Sequence, residues 1–186
     1  RPTPAYEIII ILCRYLALME EQSYLEAYVK ELENILVGQP EIPAAPRIKG
    51  YVHFFRDEMD MAAQAWEAEE VRKEDWPGWL WLIQKIDRNS RLGYCYSLLG
   101  ESEKAEECRQ RILEESSQHS SFIGAQSYYT TRIFAPLSNK QKALHSLEQA
   151  VEEGFSFFGP VRYTTDPFLK SLHRNPVYEK LVKPKS

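Results

Sequence analysis

The sequence predicts an all-α solenoid of about four antiparallel helical hairpins, closed at its C-terminal end by short capping helices. Three observations carry this. Apolar residues recur at helical spacing along nearly the whole chain, and strand alternation is weak. A small residue returns in the second helix of each hairpin, at Ala27, Ala62, Ala105 and Ala143, at intervals loosely near the ~34 residues of a two-helix repeat. The C-terminal segment holds Asp166-Pro167 and Asn175-Pro176, each an N-cap residue followed by Pro at the first helical position.

The bulk properties fit this class. Of 186 residues, 44% are hydrophobic and 27% charged, which is ordinary for a soluble domain able to bury a core. The net charge of −4 argues against nucleic acid as a partner, which would want a basic footprint. The run Ile8–Leu12 is the strongest apolar stretch, but Glu7 and Arg14 bound it, far short of the ~20 residues of a membrane span. No membrane contact by this segment is expected. Three cysteines, Cys13, Cys95 and Cys108, are odd in number and show no CxxC spacing, so reduced buried thiols are expected. This favours the cytoplasm, with a soluble domain of a membrane-anchored protein as the alternative. The start at Arg1 suggests a domain cut from a longer chain.

The elements follow in order within one expected domain. The first unit, 5–38, opens its second helix at the capping-box pattern Ser23-Tyr-Leu-Glu26 and stops at Gly38 before Pro40. "QPEIPAAP" (39–46) connects to the second unit, 44–74, where Gly50 precedes Ala62 and the bulky Trp66. Two antiparallel helices approach closely where one offers Gly or Ala to a large side chain of the other. The third unit, 79–116, repeats this grammar with Leu92, Gly93, Tyr96 and Ala105. "ESSQHSS" (115–121) leads into the fourth, 123–154, with a second capping-box pattern at Ser138–Gln141 and small residues at Ala143 and Ala150. Each hairpin leaves an apolar face that only a neighbouring hairpin can bury.

These marks resemble tetratricopeptide repeats over roughly residues 5–154, with Tyr24 and Ala27 as the matching positions of the first unit. Arg109 and Glu31 depart from the pattern, standing where a bulky apolar residue is usual. The segment 143–181 is similar to the closing segment of such arrays in many bacterial regulatory proteins. The resemblance implies a right-handed superhelix with a cap over 155–183, whose Phe168, Leu169, Leu172, Tyr178 and Leu181 would cover the open end of the solenoid. Phe155, Phe157 and Phe158 would seat that cap on the last hairpin.

Nothing in the sequence points to catalysis, a metal or a cofactor. His53, His119, His145 and His173 form no HExxH or HxxxH pair. There is no nucleophile elbow and no phosphate-binding glycine loop. Acidic pairs such as Glu69-Glu70, Glu106-Glu107 and Glu152-Glu153 lie on second helices and read as solvated faces. The crowded Trp76, Trp79 and Trp81 lengthen the third unit; they pack against the second unit or form an aromatic interaction patch.

In tetratricopeptide arrays the first helices line a concave groove. The resemblance therefore implies groove positions at Arg47, Tyr51 and Phe54, at Ser90, Tyr94 and Ser97, and at Tyr128 and Arg132. Tyrosines with a few arginines suit a protein or peptide segment, although the same tyrosines could pack between hairpins. The expected function is a non-catalytic protein–protein interaction module. The alternative is a sensory, regulatory or homodimerising domain of a larger bacterial signalling or transcription-regulating protein.

Overall fold

A computed structural model describes residues 5–76, 78, 80–117, 124–138, 140–155 and 163–183. These residues are all-helical, with no strand among them. They form two compact units, Arg1–Glu70 with Thr165–Pro167, and Val71–Thr164 with Phe168–Ser186.

The first unit holds α1 (Ala5–Met19), α2 (Gln22–Gly38), α3 (Ala45–Phe55) and α4 (Met59–Glu67). Helix α1 packs on α2 and α3 on α4, while α3 also lies against both α1 and α2. The closest approach is at Gly50, where an added Cβ would fall inside the Trp66 indole. That ring is fully buried, and its Nε1–H donates to the Arg47 carbonyl at 3.3 Å. Glycine is required at position 50 because the partner ring takes the side-chain volume.

In α2 the buried residues are Leu25, Val29 and Leu32, an i, i+4, i+7 stripe. Ala27 and Tyr24 are exposed. The first unit therefore does not use Ala27 as its small contact residue, because the helix turns its leucine–valine stripe inward instead. Ser23 corrects the sequence expectation too. Helix α2 already begins at Gln22, behind Glu21 and without a side-chain cap, so Ser23 lies inside the first turn, past the N-cap position.

The second unit holds a short 3-10 turn (Lys73–Asp75), then α5 (Leu80–Leu99), α6 (Ser102–Ser117), α7 (Ala125–Phe134) and α8 (Gln141–Glu152). A 3-10 helix (Pro167–Leu172) and α9 (Pro176–Val182) follow. The arrangement repeats that of the first unit: α5 packs on α6, α7 on α8, and α7 lies against both α5 and α6. Gly93 admits Ile133 of α7, whose Cδ1 would stand 2.6 Å from an added Cβ. Ala105, Ala143 and Ala150 are buried. Helix α8 opens after Lys140 with no side-chain cap, so the Ser138 capping box is also not formed. Asn175 does cap α9: its Oδ1 accepts from the Val177 amide at 2.9 Å.

Phe168, Leu169, Leu172 and Tyr178 are buried and Leu181 is half-buried. Phe155 is buried against Tyr128 and Tyr129; Phe157 and Phe158 lie outside the described residues. Tyr163 O–H donates to the Phe155 carbonyl, and Tyr178 O–H donates to the Tyr163 carbonyl at 2.8 Å. All three cysteines are buried, and none of them forms a disulfide. Burial pushes the Cys13 and Cys95 thiols up to about 12, so both are protonated and inert near neutrality.

Candidate interaction face

The groove positions named from the sequence divide sharply by exposure. In the first unit Arg47, Tyr51 and Phe54 are buried. Tyr51 stacks on Phe55 with centroids 5.9 Å apart and meets Trp66 edge-on at 5.4 Å. Phe54 lies 6.0 Å from the same indole. The Arg47 guanidinium donates to Glu7 of α1. Arg47 thus joins the two hairpins of the unit, while Tyr51 and Phe54 pack inside the α3–α4 hairpin.

In the second unit Ser90, Tyr128 and Arg132 are fully buried. Ser90 Oγ–H donates to the Tyr129 carbonyl at 3.0 Å, tying α5 to α7. Arg132 is the centre of a polar cluster. Its Nη1 donates to Asp87 Oδ1 at 2.6 Å, and its Nη2 to the Tyr128 hydroxyl at 3.3 Å. The guanidinium lies 5.1, 5.0 and 4.9 Å from the ring centres of Tyr128, Tyr129 and Phe168. Arg91, also fully buried, donates from Nε to the other Asp87 oxygen at 3.0 Å. One carboxylate thus serves two buried cations, and three aromatic faces supply the rest of the charge stabilisation.

Phe168 explains this burial. It comes from the 3-10 helix of the closing segment and packs edge-on against Tyr94 at 5.0 Å. Ser171 of the same segment donates to the Ala135 carbonyl at 2.5 Å. Between α5 and α7 the inner face is therefore covered by the chain's own closing segment. Tyr94 and Ser97 are half-buried, the two named positions that keep access to solvent.

Of the aromatic patch, Trp76 and Trp81 are half-buried, and Trp79 lies outside the described residues. Lys73 and Lys85 stand 5.9 and 5.3 Å from the Trp81 ring centre, and Lys85 pairs with Glu115 at 2.6 Å. Two surfaces were not read from the sequence. One is a groove of about 500 Å³ where α8 meets α9, lined by Glu148, Val151, Glu152, Pro176, Val177, Lys180 and Leu181. The other is the outward face of α1, where Ile8, Ile11, Leu12, Tyr15 and Met19 are exposed. The Asp87–Arg91 pair carried an i, i+4 signal in the sequence; its link to Arg132 carried none.

Among the described residues no three His, Cys, Asp or Glu side chains are grouped to hold a metal ion. No described helix is long and apolar enough to cross a membrane. Compared with protein-family models, curated proteins and solved structures, the chain matches none of them.

Proposed function

We propose that this chain is a non-catalytic protein-interaction module of tetratricopeptide type, which binds a peptide or protein segment along the face of its first helices. The observation that supports it most is the repeated arrangement in both units, in which the first helix of the second hairpin rests on both helices of the first. The close contacts at Gly50 with Trp66 and at Gly93 with Ile133 add to this. Such stacking gives an extended surface lined by first helices. The half-buried Tyr94 and Ser97 are its accessible part on α5, beside a segment of the same chain that already lies on that face.

The test is selection of binders from a displayed peptide library, followed by titration calorimetry with the wild type and with Ser97→Arg. A large charged side chain at position 97 blocks the face and leaves the core alone. The expected result is at least a tenfold loss of affinity at an unchanged melting temperature. Equal affinity for the two proteins, or no selected peptide, would remove this reading.

A further inference from the structure

Helix α1 departs from the usual rule that large apolar side chains are covered. Ile10 and Cys13 point inward and are buried. On the opposite side Ile8, Ile11, Leu12, Tyr15 and Met19 are 52, 59, 37, 50 and 56% exposed. Scattered single hydrophobics are normal on a surface, but these five form one stripe along a helix of 15 residues. No charged side chain interrupts the stripe: Glu7 turns to Arg47, and Arg14 pairs with Asp166 at 3.2 Å.

We propose that this stripe is a homodimer interface, in which α1 of one copy packs antiparallel on α1 of a second copy. The spacing of the stripe favours a second copy over an unrelated partner. Ile8, Leu12, Tyr15 and Met19 are separated by four, three and four positions, the alternation of a helix–helix seam. That series reads the same in both directions. A twofold axis between Leu12 and Tyr15 sets Ile8 against the partner's Met19, and Leu12 against the partner's Tyr15. The patch is thus complementary to itself, as an interface between identical copies must be.

Area and charge agree with this choice. At ~200 Å² for a fully exposed large side chain, the stripe leaves roughly 500 Å² open. Two copies together would cover about 1,000 Å², at the lower bound for a specific interface. The seam is apolar throughout, as in homodimers rather than in transient contacts. Glu20 and Glu21 follow the C-terminal end of α1, and an antiparallel partner brings the positive end of its own helix dipole to that place. The result is a weak, concentration-dependent dimer, which does not depend on the peptide-binding reading.

The test is sedimentation velocity on the full chain over a hundredfold concentration range, at low and high salt, with the wild type and with Ile11→Lys. Circular dichroism checks that the variant keeps its helicity and melting temperature. The wild type is expected to move from monomer to dimer and to hold the dimer at high salt, since no ion pair carries the seam. Ile11→Lys is expected to weaken association at least tenfold. The orientation is tested with Ile8→Cys and Met19→Cys proteins, mixed under mild oxidation. The mixed Ile8→Cys to Met19→Cys disulfide should dominate over either self-pairing, and the buried native thiols do not compete. A wild type that stays monomeric throughout, a dimer indifferent to Ile11→Lys, or a preference for position 8 pairing with itself would each overturn the proposal.

Discussion

Helices α1 and α7 invert each other's use of side chains. On helix α7 Arg132 is fully buried, with Tyr128, Tyr129 and Asp87 around it. Helix α1 leaves isoleucine, leucine, tyrosine and methionine in water. The difference lies in what covers each element. Helix α7 is packed by α5, α6 and α8, and Phe168 of the closing segment lies over its arginine. Helix α1 has α2 and α3 on one side only. Residue type alone therefore does not tell which inner-face side chains of a helical hairpin remain available to a partner. A polar residue becomes structural once a remote segment closes over it, and an apolar one becomes a surface when no neighbour arrives.

The comparison can be broken most severely at Asp87. Asp87→Ala leaves two buried guanidinium groups without their shared carboxylate, so a loss of about 3–5 kcal/mol is expected by urea unfolding. A loss below 1 kcal/mol would mean that the arginines find other partners and that the cluster is not a keystone. A smaller effect is expected from Gly93→Ala, whose new methyl must displace Ile133 at the α5–α7 contact. Overpacking of this kind costs roughly 1–3 kcal/mol. A neutral outcome would show that α7 can slide, and the contrast with the loosely covered α1 would weaken.

The smallest effect concerns pH in the first unit. Hydrogen bonds from Arg56, at 2.7 and 3.0 Å, hold the Glu33 carboxyl below its ordinary value of 4.5. Its lowered folded value means that the pair's stabilisation is present above pH 4.5 and is lost as pH falls through the folded value. Both side chains are about a third exposed, so screening keeps the contribution to a few tenths of a kcal/mol, at most about 1. Melting temperatures measured from pH 6 to pH 3 should fall slightly less steeply for Glu33→Gln than for the wild type. The difference should shrink in high salt.

Much of the fold was legible because the relevant signals are local. The spacing of Gly50, Ala62 and Trp66 put a ring beside a glycine, and that is where the indole lies. Asn175-Pro176 announced its cap. The first unit was harder to read. It lacks a glycine in its first helix, and Ala27 faces solvent while Leu25, Val29 and Leu32 hold the packing stripe. The two serine capping boxes failed because Ser23 lies just inside a helix that begins one residue earlier, and because α8 opens behind Lys140.

The candidate site was less legible for a different reason. The burial of Arg132 depends on Phe168 and that of Tyr128 on Phe155 and Tyr163, residues well over twenty positions further along the chain, and no periodicity reports such meetings. The run Ile8–Leu12 announced a helix, but isoleucines on every side could not say which face would be left uncovered.

The polar inner-face residues of α7 are packed into the fold, which leaves the proposed partner contact to accessible positions such as Tyr94 and Ser97. Thermal unfolding of Arg132→Ala beside the wild type tests it most directly. Loss of a buried ion-pair partner is worth about 3–5 kcal/mol, so the melting temperature should fall by roughly 6–20 °C. An unchanged melting temperature would contradict the account and return Arg132 to the candidate positions of the proposed interaction face.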